Sequence, residues 1–415
     1  MEKPLTPAVL KETEKVSPKL CGDMTSILQA LAFVARDARF GLLDKHIAPC
    51  QPKAGALNFT ENFMPTPVYG YAAHSSDTDL VPWSFERRDL RPDDVELDIL
   101  FCGVCHSDLH HVRNDWGGET YPIVPGHEIV GTISRVGPNV AQYKAGDLVG
   151  VGCLVDSCQH CHACVHHLEQ YCENGNTLTY ASYDRHDGSR TYGGYSNKIV
   201  VSEKFVLAIP DGMDPAGAAP LLCAGITSYS PLRRWNAGPG KKVAVVGLGG
   251  LGHMALKLAH AMGAEVTLFS RSPGKEADAK RLGADHIVIS GDDVQMQAVA
   301  DRFDLIIDTV PYDHDLNPYV ATLAPEGSIV LVGYLGPLGT TLNTAAMVFR
   351  GRSVSASLIG GLKQTQEMLD FCGEHGITSD VEVINIQDIN DAYARMLKSD
   401  VKYRFVIDLA SLKHA

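Results

Sequence analysis

Four cysteines, Cys158, Cys161, Cys164 and Cys172, stand in the spacing C-x2-C-x2-C-x7-C. On one loop that spacing lets four thiolates converge on a tetrahedral zinc ion. Four protein ligands leave no vertex open, so the predicted role is structural. The loop, residues 153–175, has little apolar content of its own for an ion to supplement; the competing reading is four free or redox-cycling thiols. His160, His162, His166 and His167 lie among them and read as exposed loop residues, because four cysteines already satisfy the ion. A second set is dispersed over Gly103-Val104-Cys105-His106-Ser107-Asp108-Leu109-His110, Pro125-Gly126-His127-Glu128 and Leu221-Leu222-Cys223-Ala224-Gly225-Ile226-Thr227. Each piece alone says little, since a lone cysteine is usually a small buried hydrophobe. Combined with a cofactor fold, Cys105, His127 and Cys223 offer two thiolates and an imidazole, which leaves zinc a fourth position for water or a carbonyl oxygen.

A cofactor fold is what the next motif predicts. Val243-Ala244-Val245-Val246 runs into Gly247-Leu248-Gly249-Gly250-Leu251-Gly252, a G-x-G-x-x-G between a buried strand and a helix over Met254–Met262. Gly247 makes the tight turn, Gly249 admits a pyrophosphate to the backbone, Gly252 packs helix on strand, and the helix amides face the phosphates. The alternative is a glycine turn with a purely structural role. At the end of the second strand, near Phe269, an acid would select NAD by holding the adenosine ribose. Here Ser270-Arg271-Ser272-Pro273-Gly274-Lys275 supplies two hydroxyls and two cations, which suit the 2′-phosphate of NADP. The alternative is that Arg271 and Lys275 are solvated surface cations.

Two kinds of element must position these groups. Alternation at Val95, Leu97 and Ile99 and the runs Ile129–Val136 and Leu148–Val151 predict short turning strands in a β-rich first part. After Asp211, apolar strands at Val243–Val246, Val266–Phe269, His286–Ile289, Leu305–Ile307 and Ile329–Val332 alternate with helical segments, predicting a parallel sheet covered on both faces. A helix over Thr365–His375 ends at Gly376. Residues 1–63 read as a separate extension with one amphipathic pattern at Ile27, Leu31 and Val34, packing on the surface, mediating assembly or carrying a targeting signal; no chemistry is assigned to them.

Composition narrows the function classes. The 415 residues suffice for two or three domains, and a net charge of −13 gives no broad basic field for nucleic acid or an acidic membrane. The apolar run Ala30–Ala35 is far too short to span a bilayer, and acids are frequent before Glu61, so a cytoplasmic protein is expected. Eleven cysteines, most of them between Cys102 and Cys172 among histidines, point to metal instead of a disulfide framework.

With Gly103 to His110, Gly126-His127-Glu128-Ile129-Val130-Gly131, the four-cysteine loop, Leu222 to Thr227, Gly247 to Gly252 and Lys402-Tyr403-Arg404-Phe405-Val406, the chain resembles the zinc-dependent medium-chain alcohol dehydrogenases. Within them it is similar to the NADP-dependent cinnamyl alcohol dehydrogenase branch and its bacterial aldehyde reductases. The resemblance runs from about Met64, where family members normally begin, to the C-terminus.

It implies an α/β architecture: a GroES-like β-barrel catalytic domain of residues 65–218 and 357–415 beside a Rossmann doubly wound parallel sheet over 219–356. It implies two Zn2+ ions per chain, NADP(H), small aldehydes and alcohols as substrates and a possible homodimer paired through the nucleotide domains. Cys105, His127 and Cys223 match the catalytic zinc ligands, and Glu128 matches an acid that either becomes a fourth ligand or never touches the metal. Asp108 matches the carboxylate that orients the ligating histidine, and Ser107 and His110 match a proton relay. His106 and Arg404 match groups near the pyrophosphate, Thr227 packs on the nicotinamide, and Trp116 either lines the substrate pocket or serves as an ordinary core or surface tryptophan. The expected activity is reversible, NADPH-linked reduction of aldehydes to primary alcohols. The alternatives are an NAD-dependent polyol or secondary-alcohol dehydrogenase and an inactive zinc-stabilised binding protein.

Overall fold

The computed structural model describes residues 66–333 and 336–414. The amphipathic pattern at Ile27, Leu31 and Val34 and the position of Met64 lie outside the described residues.

Two large sheets organise the chain. The first has seven strands in the order Val381–Asn385, Arg404–Asp408, Asp94–Gly103, Ile129–Val136, Leu148–Val151 and Leu207–Ala208, with Lys198–Ser202 also paired to Asp94–Gly103. The runs predicted at Ile129–Val136 and Leu148–Val151 form strands at those bounds. Val95, Leu97 and Ile99 are buried as their alternation requires. The intervening Glu96 is buried too, against the simple period of two. Its carboxylate accepts hydrogen bonds from Ser134 Oγ at 2.9 Å, Arg135 Nη2 at 2.6 Å and Lys198 Nζ at 3.2 Å. Burial would raise its pKa, but those partners hold it at about 2. The late strand Arg404–Asp408 pairs antiparallel with Phe101–Gly103, which joins the C-terminal segment to the strand leading into Cys105.

The second sheet is parallel throughout, in the order His286–Ile289, Glu265–Ser270, Lys242–Val246, Phe303–Asp308, Leu323–Leu331 and Ser353–Ala356. The continuous apolar run Val243–Val246 belongs to such a sheet because both its faces are covered. Val243 and Val245 enter one hydrophobic cluster with Met254, Leu256 and Leu258, whereas Ala244 and Val246 enter another with Phe269, Phe303 and Ile329. The helix after the glycine turn runs Gly252–Ala261, two residues earlier than the sequence predicts, because Gly252 and His253 are themselves helical. The later helix runs Leu362–His375 and stops at Gly376, whose φ of 62° is left-handed. Among the described residues no helix is long and apolar enough to cross a membrane.

Candidate active site

The dispersed ligand set meets in space. Cys105 precedes the short helix His106–Val112, His127 and Glu128 lead into strand Ile129–Val136, and Cys223 sits between the 3-10 turn Ala219–Leu222 and helix Ala224–Arg234. One ligand atom from each of Cys105, His127, Glu128 and Cys223 lies within 4.8 Å of the others. All four are buried. Two thiols, an imidazole and a carboxylate gathered at that range suit a borderline divalent metal such as zinc.

The imidazole is prepared for such a role. Asp108, fully buried, lies 3.0 Å from His127 Nδ1 and accepts the backbone N–H groups of Cys105 at 2.9 Å and Gly126 at 3.1 Å. With Nδ1–H directed at a carboxylate, Nε2 keeps its lone pair for a metal. Tyr195 Oη donates to Asp108 at 3.3 Å and receives Tyr393 Oη at 3.5 Å. These two tyrosines escaped sequence reasoning; the signal was Gly193-Gly194 before Tyr195, where any Cβ would meet Pro125 O or the Ile129 side chain at 2.3–2.4 Å.

Glu128 faces the imidazole, with its Oε1 4.0 Å from His127 Nε2. Its Oε1 forms an ion pair with Arg404 Nη2, while its Oε2 is buried without a hydrogen-bond partner. Burial lifts its pKa to about 7 against the pull of Arg404. Arg404 in turn lies over the glycine turn, with its Cδ 2.8 Å from where a Cβ on Gly250 would stand. One guanidinium therefore spans the metal-ligand cluster and the G-x-G-x-x-G, and its Nε is buried and unpartnered.

The turn has the predicted geometry. Gly247 takes φ 90°, and a Cβ on Gly252 would stand 2.1 Å from Gly247 O, so neither position accepts a side chain. Around Gly249 there is open space, while Leu251 is half-buried against the core and its carbonyl accepts Ser228 Oγ at 3.2 Å. His253, another residue the sequence did not flag, reaches Gly249 O at 3.2 Å and Ser379 Oγ at 3.0 Å. Burial pushes its pKa down to about 3, so it is a neutral brace between the turn and the C-terminal segment.

At the end of strand Glu265–Ser270, Ser270 Oγ donates to Ser272 O at 2.9 Å and accepts Ser272 N–H at 3.2 Å. Arg271 is exposed, with its guanidinium 5.6 Å from the Tyr312 ring centroid, and Lys275 Nζ donates to Leu248 O at 3.1 Å. Lys275 thus flanks the turn.

The remaining predicted residues are less tightly gathered. Ser107 and His110 share the helix His106–Val112, but among the described residues no hydrogen bond joins them; His110 Nδ1 lies 2.7 Å from Asp115 Oδ2. His106 is exposed at the start of that helix, its ring 6.5 Å from that of His110. Thr227 is buried one turn after Cys223, whose carbonyl accepts its N–H at 2.9 Å. Trp116 packs between His110 at 5.2 Å and His111 at 4.8 Å and is 37% exposed, so it lies at the surface instead of in a core. Cys153, which sequence reasoning left unassigned, lies beside Cys223, its Sγ 3.9 Å from Leu222 O.

The four-cysteine loop closes on itself. Cys158 and Cys164 sulfurs are 3.9 Å apart and those of Cys161 and Cys172 4.0 Å. Tetrahedral ligands at a zinc–sulfur bond of ~2.3 Å stand about 3.8 Å apart, so the spacing fits that ion. The amides of Cys158, Cys161, Cys164 and Glu173 point at sulfur at 3.3–3.5 Å, which stabilises thiolates. Burial pushes Cys164 up to about 12 and raises Cys172, a conflict among crowded thiols that a dication removes.

Known proteins match both parts of this chain. The Alcohol dehydrogenase GroES-like domain family matches residues 91–211 and the Zinc-binding dehydrogenase family residues 250–374. The chain is 51% identical over 346 residues to the aldehyde reductase YahK of Escherichia coli strain K12, covering 83% of this chain and 99% of that one. A cinnamyl alcohol dehydrogenase structure from Sorghum bicolor superposes with a TM-score of 0.80 at 47% identity, over 83% of this chain and 98% of that one. A second, from Helicobacter pylori and complexed with NADP(H), superposes with a TM-score of 0.78 at 42% identity, over 84% and 99% of the two chains. A GroES-like part and a parallel nucleotide sheet are thus the shared frame, and the chain belongs to the zinc-dependent medium-chain alcohol dehydrogenases, in their cinnamyl alcohol dehydrogenase-like branch.

Proposed function

We propose that this protein catalyses the zinc-dependent, NADPH-linked and reversible reduction of aldehydes to primary alcohols. The observation that carries the reading is the convergence of Cys105, His127 and Cys223, linked through Glu128 and Arg404 to the glycine turn. Bound there, zinc supplies Lewis acidity and NADPH supplies hydride. Cys105, His127 and Cys223 hold the metal, and Asp108 keeps the His127 tautomer that binds it. Glu128 stands within ligand reach while paired to Arg404, so its role alternates between ligand and counter-ion. Ser107 and His110 pass the proton that the product oxygen requires, with His110 reaching solvent beside Asp115. Four thiolates at Cys158, Cys161, Cys164 and Cys172 hold the second ion.

Residues 65–218 with 357–415 form the catalytic domain and 219–356 the nucleotide domain in this reading. Arg404, His106 and the amides of Gly249, Gly250 and Leu251 take the pyrophosphate, Thr227 backs the nicotinamide, and Ser270, Arg271, Ser272 and Lys275 take the 2′-phosphate. Trp116 borders the aldehyde. A cytoplasmic homodimer is proposed as the working form. Its pairing surface is the edge strand Ser353–Ala356 with Val348 and Phe349, which are 76% and 85% exposed.

An aldehyde panel scored by NADPH consumption, with zinc counted on the same preparation, tests the reading. Turnover of simple aldehydes at about two zinc ions per chain is expected. A preference for NADH with polyols or ketones, or no turnover of any aldehyde, overturns it. Within the same assay, Arg271→Ala removes a charge-assisted contact worth roughly 1.5–3 kcal/mol, so KM for NADPH rises about 10- to 100-fold. The constant for NADH stays put; equal losses with both cofactors would remove Arg271 from the 2′-phosphate site.

A further inference from the structure

The proposed reaction leaves the histidines of the four-cysteine loop without a use. His162 opens the short helix His162–Val165 and His166 ends it. Residues four apart share one helix face. The two side chains are exposed, with ring centroids 4.2 Å apart and ring planes 47° to each other. Beneath them Ala163 and Cys164 are buried, which fixes the backbone that carries both rings.

The tautomer of His166 follows from the acceptor beside it. His166 Nδ1 lies 2.7 Å from the carbonyl oxygen of His162. A carbonyl only accepts, so Nδ1 carries the proton and Nε2 keeps a free lone pair. Imidazoles that bind metals are held in the same way, one nitrogen donating to a carbonyl and the other directed at the ion. His160 repeats the device, with Nδ1 2.5 Å from Cys158 O. Among the described residues neither His162 nor His166 has a carboxylate partner, so nothing nearby competes for its charge or its lone pair. The pair is also distinct from the four thiols, which form a complete ligand group by themselves.

We propose that His162 and His166 chelate a third metal ion on the outer face of this loop, of the divalent class that favours imidazole, with water completing its coordination.

Equilibrium dialysis of the zinc-replete, untagged protein against nickel chloride, with zinc and nickel counted together, tests the site. One nickel per chain is expected above the zinc already present. The double variant His162→Asn/His166→Asn should weaken nickel binding at least about tenfold without changing the zinc count. His375→Asn is the control: His375 is exposed and its Nδ1 lies 2.9 Å from Phe371 O, but its ring stacks on Phe371 instead of a second imidazole. Its replacement should leave uptake unchanged. Equal nickel uptake by the double variant, no uptake by the parent, or nickel gained only as zinc is lost would each overturn the proposal.

Discussion

Cys223→Ser is expected to lower turnover by at least about 10³-fold while the chain stays folded, with one of its two zinc ions lost. The size follows from the contribution of a Lewis acid at a developing oxyanion: several kcal/mol, at about 1.36 kcal/mol per factor of ten. The folding part follows from position. Cys223 caps helix Ala224–Arg234, whose buried residues include Ile226, Tyr229 and Leu232, and serine differs from cysteine by one atom. Zinc analysis, thermal unfolding and aldehyde reduction on one preparation check all three parts. Retention of both zinc ions and of turnover would remove Cys223 from the ligand set.

The second large effect concerns stability. Cys164→Ser removes a buried thiol from a closed group in which each sulfur stands about 4 Å from another and those of Cys158, Cys161 and Cys172 accept backbone amides. A loop without its own apolar core depends on the ion for its conformation, so losing a ligand is expected to cost more than about 3 kcal/mol locally. The readouts are a Tm lower by roughly 4 °C or more, loss of the structural zinc and early proteolysis within 153–175. An unchanged Tm with zinc still at two per chain would mean the thiols are not a structural metal site.

Much of this was legible before any coordinates. The four-cysteine spacing and the G-x-G-x-x-G are local motifs, and local backbone geometry alone brings their atoms together. The strands at Ile129–Val136 and Leu148–Val151 showed in their apolar runs because burial imposes a short period. Element starts were harder: the helix beginning at Gly252 hides behind a glycine, and the one beginning at Leu362 lacks a side-chain cap on Gly361. Glu96 broke the alternation because three distant donors accept its charge inside the sheet.

Tyr195, Tyr393 and His253 carried no motif. Each matters only through a partner far along the chain: Asp108 for Tyr195, Tyr195 for Tyr393 and Ser379 for His253. By itself the sequence determined which residue types could hold metal and dinucleotide, because donor chemistry and turn geometry are properties of short segments. Only the tertiary structure decided that Cys105, His127 and Cys223 share one site and that Arg404 ties it to the glycine turn. The physical reason is that strand pairing, with Arg404–Asp408 laid against Phe101–Gly103, sets distances between residues some 300 positions apart that no local pattern encodes.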